Sequence, residues 1–153
     1  MTTKPRWYGR RYPTLEDLAD FGSRMGAVVA LDAGLRNSLC VVEDPPILLI
    51  ATRRGPLDTA WALAHELAHL CLHAGPGSAA IRSKNERQAN HWAACALIPQ
   101  ARVDFHQNAS EDNFMAALSC HYEDLPPRDC WARDLAHEIA RHRLDALLAM
   151  GGG

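Results

Sequence analysis

The run HELAHLCLH, His65 to His73, sets three histidines at steps of four, with a glutamate directly after the first. No other stretch constrains the chain as tightly, because the pattern acquires meaning only on an α-helix. There, residues four apart are offset by about 40° and one turn, so His65 and His69 can aim both imidazoles at one point. The flanks agree. Gly55-Pro56 opens the segment with proline at the first helical position and Asp58 in the first turn, and Gly75-Pro76-Gly77 stops it.

His69 and His73 share the same spacing, but the two pairs are not equivalent. Only His65-Glu66-x-x-His69 has a carboxylate beside its first histidine, where it can bond a water held opposite two metal ligands. Leu70 follows His69 and offers no such group. His73 falls in the last turn, where an imidazole favours the negative end of the helix dipole, and reads as a terminal residue and not a ligand.

The chain around this helix predicts an α+β fold. Upstream, TLEDLADFGSRMG begins with a capping residue, Thr14, places acidic residues in the first turn and spaces Leu15, Leu18, Ala19 and Phe21 on one face. That helix runs to about Met25 and closes at Gly26. Three short apolar or β-branched runs follow, Ala27–Ala33, Asn37–Asp44 and Pro46–Thr52, divided by Gly34 and by Asp44-Pro45-Pro46. They predict a small three-stranded sheet, antiparallel or mixed, with a hairpin. Downstream come a helix from the Ser83–Glu86 region to about Leu97, an amphipathic helix from Glu111 to Cys120, the break LPPRD, and a final helix from about Arg128 to Met150.

A length of 153 residues holds one sizeable core, so a single domain is expected over 1–153. Its parts are a basic arm at 1–12, sheet and metal-site helices at 13–99, a helical part at 100–150 and a frayed tail at 151–153. A formal net charge of -2 gives no reason to expect a nucleic-acid partner. The local patch KPRWYGRR reads as a solvated arm whose rings pack on the domain. None of the five cysteines forms a CxxC pair, and no apolar run follows the basic start, so a signal peptide is not expected and the cytoplasm is. Cys71 and Cys95 sit in helical apolar patterns and read as core residues. No uncharged apolar run approaches the roughly 20 residues of a membrane span.

A metal site that works on substrate needs a third protein ligand and an open position. The elongated pattern HExxHxxGxxH is not met, because Leu72 and Gly75 stand where its glycine and third histidine belong. The candidate is Glu86 in NERQAN, 17 residues beyond His69. Ser83-x-x-Glu86 also has the spacing of a capping box, which needs no metal. Against that, Glu86 stands at helical steps from Ala89, Ala93, Ala96 and Leu97. A carboxylate on that apolar face needs a cationic partner.

HELAH, followed by ExxAN and then HWAACALIP, resembles the ImmA/IrrE family of metallopeptidases, and NERQAN is similar to the NExxSD element of thermolysin-like gluzincins. The likeness covers roughly Pro46 to Pro99. It implies a zincin-like helical core beneath the sheet, Zn2+ held by His65, His69 and Glu86, Glu66 as general base, and Asn90 orienting a ligating histidine. Asn90 is a neutral amide where gluzincins carry an aspartate, so it polarises an imidazole less. Trp92, Ile98 and Ala68 replace the family's usual phenylalanine, methionine and glycine. The resemblance also implies a protein substrate, such as a helix-turn-helix transcriptional repressor in phage, mobile-element or stress settings.

Other readings bound this one. His91, His106, His121 and Tyr122 are candidate donors to a developing oxyanion, each more ordinary as a surface or packing residue. The imitation HEIARH has histidines five apart, about 140° round the helix, and reads as a solvated face. The segment from Ser110 to Leu135 has the outline of two short helices, but its prolines and acidic start make a packing role fit better than a DNA-reading one. The rival function is a noncatalytic metal-binding module that pairs with a repressor or toxin–antitoxin partner.

Overall fold

The computed structural model describes residues 4–41, 44–72, 79–100, 110–122 and 130–149. Helix α1, Leu15–Arg24, starts where the sequence places it. Thr14 Oγ1 accepts the Asp17 amide at 3.0 Å, and Asp17 Oδ2 accepts the Thr14 amide at 2.8 Å, a reciprocal capping box. Gly26, at φ +87°, lets the chain turn into the sheet.

The sheet is mixed, with strands β1 (Val28–Asp32), β2 (Leu39–Val41) and β3 (Ile47–Ala51) in the spatial order β1-β3-β2. β3 pairs parallel to β1, from Val28↔Ile47 to Asp32↔Ala51, and antiparallel to β2, from Leu39↔Leu49 to Val41↔Ile47. The expected hairpin is therefore β2–β3, and β1 and β2 are the two edges. In the central strand Leu48 and Ile50 are fully buried and face the helices. Gly22 of α1 makes the close approach to that layer: a Cβ there would lie 2.8 Å from Val29 Cγ2 and 3.0 Å from Leu67 Cδ2.

Helix α2, Pro56–Leu72, buries Leu57, Ala60, Leu63, Ala64, Leu67 and Ala68 along one stripe. The stripe repeats at three and four residues, as a core-facing helix requires, and leaves His65, Glu66 and His69 beside it. Helix α3, Ala79–Leu97, packs most extensively against α2 and begins earlier than its sequence signals predict. Ser83 lies inside α3, so Ser83-x-x-Glu86 is not a helix start. The Ala79-Ala80-Ile81-Arg82 run favours helix, and the same i,i+3 spacing occurs within any helix. The expectation that Glu86 shares the buried face is also corrected. Ala89, Ala93, Ala96 and Leu97 are buried, but the Glu86 side chain is 56% exposed, at the border of the stripe.

The last two helices among the described residues are α4, Glu111–His121, and α5, Cys130–Ala149. The break LPPRD lies outside the described residues. HEIARH on α5 is not a solvated face. His137 Nδ1 pairs with Glu111 Oε1 of α4 at 3.1 Å, His142 stacks on Trp61 of α2 at 5.8 Å, and Ile139 and Ala140 are buried. The segment holds three helices together because its polar residues reach neighbours on both sides of an apolar stripe.

Arg143 continues that stripe and is only 2% exposed. Its Nε donates to the Ile98 carbonyl at 2.9 Å and its Nη2 to Gln100 Oε1 at 3.0 Å, with the guanidinium 5.7 Å from the Phe114 ring centre. One side chain thus joins α5, α4 and the segment just past α3. Among the described residues no carboxylate pairs with it. The basic arm is docked: Trp7 is buried, Tyr8 donates to the Trp92 carbonyl at 3.2 Å, and Tyr12 donates to the Ala117 carbonyl at 2.9 Å. Cys71 and Cys95 are partly buried free thiols, and burial pushes the Cys71 thiol up to about 11.

Candidate metal centre

The arrangement of α2 and α3 brings His65, His69 and Glu86 to one place. Glu86 meets His69, and Asn90, one turn further along α3, lies beside His65, one turn back along α2, so the two helices run antiparallel. The two Nε2 atoms stand 3.2 Å apart. Glu86 spans both, with Oε1 2.7 Å from His69 Nε2 and Oε2 3.3 Å from His65 Nε2. Among the described residues this is the one group of three or more histidine, cysteine or acidic residues with converging ligand atoms, all within 4.8 Å.

The donors suit a divalent metal of the zinc type. Tetrahedral bonds of about 2.0–2.1 Å place ligand atoms roughly 3.3 Å apart, close to the spacing of the Nε2 pair and of His65 to Glu86. Two imidazoles facing through Nε2 cannot both be acceptors without a proton or a cation between them. Burial pushes the His65 pKa down, opposed by the Glu86 charge, and a neutral imidazole is the form that binds metal. Its Nδ1 is buried without a hydrogen-bond partner. The Asn90 amide favours the charged ring yet does not reach bonding geometry with that nitrogen.

Glu66 lines the cleft that opens beside the triad, together with His65, Glu86 and Asn90. The cleft encloses about 370 Å³. Burial pushes the Glu66 carboxyl pKa up, the charge of His69 pulls it down, and that of Glu86 raises it further. Trp61, tilted against His65 at 6.2 Å between ring centres, forms part of the wall. Opposite α2, Ser38 and Ala51 bring the sheet to the rim, where Ser38 Oγ accepts the Ala51 amide at 2.8 Å.

The candidate oxyanion donors fall elsewhere. His91 is absent from the cleft lining, His121 stacks on Tyr12 at 4.3 Å, and Tyr122 lines a separate hollow near Pro13 and Pro56. His73 and His106 lie outside the described residues. The cationic groups that do reach the cleft are Arg36 and Arg54, which no local sequence signal singles out. Sheet loops bring them there, and only the three-dimensional fold reveals it.

A small mixed sheet over helices, with two imidazoles and a carboxylate converging from adjacent helices, defines an α+β domain of metallopeptidase-like design. Over residues 20–117 the chain matches the model of the peptidase family described as the IrrE N-terminal-like domain, and it belongs to that family. No curated protein and no solved structure matches it. Membership implies a metal and a protein substrate. No helix among the described residues is long and apolar enough to cross a membrane.

Proposed function

We propose that the chain is a zinc-dependent endopeptidase in which His65, His69 and Glu86 hold the metal and Glu66 is the general base. The observation that carries this reading is the convergence of those three ligand groups, two of which, His65 and Glu86, line the same cleft as Glu66. When bound, zinc supplies Lewis acidity toward the scissile carbonyl and toward water. Glu66 accepts the proton of the attacking water and delivers it to the leaving amine. Asn90 lies beside His65 on the α3 side, the position from which its amide would orient the ring. The open edge of β2 receives the substrate backbone in extended form, since the loop residues that lead into it, Arg36 to Ser38, border the cleft.

The resemblance to the ImmA/IrrE family extends the proposal to a regulatory protein as substrate, such as a helix-turn-helix transcriptional repressor, and to action in the cytoplasm. The test is incubation of zinc-loaded protein with a helix-turn-helix repressor encoded in its gene neighbourhood, identified first by sequencing that neighbourhood. Cleavage lost in Glu66→Gln, with zinc content retained, is the expected result. Equal cleavage in that variant would remove Glu66 from the general-base role. Stable repressor binding without cleavage by the wild type would favour a noncatalytic module instead.

A further inference from the structure

The charge in the cleft is divided by wall. Asp58, Glu66, Glu86 and Glu138 come from helices, whereas Arg36 comes from the loop between β1 and β2. Arg36 is exposed and makes no ion pair among the described residues. Its nearest acidic neighbour along the chain, Asp32, is engaged differently, with Oδ1 accepting the Gly34 amide at 2.7 Å. That bond orders the loop before Arg36, and the Ser38–Ala51 bond fixes the chain after it. A guanidinium is therefore presented at the substrate rim on a tethered loop, with its fork of donors uncommitted among the described residues.

Away from the metal position, a peptide carboxylate entering this cleft faces the carboxylate of Glu138 on the helical wall and a matching bidentate partner at the β2 end. Resting on the peptidase reading above, we infer that Arg36 is a specificity-determining residue that selects substrates carrying a carboxylate on the β2 side of the scissile bond. The group is either an Asp or Glu side chain or the free carboxyl end of the peptide. Arg54 lines the same cleft and adds to the positive field there. The bidentate contact belongs to Arg36.

The test uses zinc-loaded Glu66→Gln protein and fluorescein-labelled heptapeptide pools with a fixed central Asp, Asn or Lys, each made with a free or an amidated C-terminus. Binding is read by fluorescence anisotropy. A carboxylate contact should tighten binding roughly tenfold over the matched amide, the scale of one charge-assisted hydrogen-bonded pair. Preference for Asp over Asn identifies a side chain as the source, and preference for free over amidated ends identifies the terminus. Adding Arg36→Gln should reduce the ratio below about twofold, and adding Arg36→Glu should turn it toward Lys. Persistence of the acidic preference in Arg36→Gln, or its absence in the parent, overturns the inference. Cleavage of the same pools by wild-type protein is scored separately. Acidic preference without cleavage removes the peptidase reading alone, and cleavage without preference removes the Arg36 assignment alone.

Discussion

Truncating Arg143 to alanine offers a stability test that does not depend on the metal. The substitution removes the donor to the Ile98 carbonyl at 2.9 Å and the donor to Gln100 Oε1 at 3.0 Å. Ile98 is fully buried, so its carbonyl loses its partner with no water at hand, at a cost of about 1–3 kcal/mol. Gln100 is exposed, and water replaces that bond at little cost. Loss of the aliphatic stem and of the contact with Phe114 adds about 1–2 kcal/mol. Relief of the guanidinium's desolvation offsets part of the total. A net destabilisation of about 2–4 kcal/mol is expected, which for a chain of this size lowers Tm by roughly 6–12 °C. Thermal unfolding followed by circular dichroism measures it, with Arg143→Lys and Arg143→Met alongside. Lysine keeps the charge without the planar fork and should recover only part of the loss. Methionine restores volume and still leaves the carbonyl unpaired. A methionine variant as stable as wild type would refute the reasoning, because desolvation of the cation would then outweigh its hydrogen bonds.

Further outcomes are expected elsewhere. Glu86→Ala should lower zinc content well below wild type by elemental analysis, and unchanged content would return Glu86 to a surface role. Gly22→Ala should gain about 0.8–1 kcal/mol of helix propensity but lose about 1–3 kcal/mol to crowding against Val29 and Leu67, so Tm should fall by a few degrees; a rise would show that α1 shifts freely. The bonds from Arg11 and Thr14 hold the Asp17 pKa down at about 2, below its ordinary value of 3.8. Its contribution is therefore fully present above about pH 4 and lost as pH falls toward about 2. The stability difference between wild type and Asp17→Asn should shrink across that window, and a constant difference would exclude this linkage.

Local chemistry makes much of the architecture legible in the sequence. Thr14 with Asp17, Gly26, and Pro56 after Gly55 are boundary signals whose cause lies within a few residues, and each stands at the boundary it predicts. The histidine pair and Glu86 are legible for the same reason, through helical spacing and a second motif. What escapes depends on distant partners. The start of α3 is hidden because Ser83-x-x-Glu86 fits both a cap and a helix interior. The parallel pairing of β1 with β3 arises from which strand takes the centre, a choice that no single strand encodes. Arg143 carries a faint mark, a charge on an apolar stripe, but its acceptors lie 45 and 43 residues away. Arg36 carries none.

The proposed ligand set comes from two consecutive helices, with Glu86 only 17 residues from His69. An ion bridging them closes a short loop, which costs little chain entropy and draws on contacts of the kind that form early in folding. The rim that carries Arg36 arrives from further upstream and requires the sheet. In the proposed mechanism, metal capture and substrate choice therefore depend on parts of the chain with different contact order. On that reading, a lesion in β1–β3 should erode selectivity while leaving the helical pair able to take up zinc.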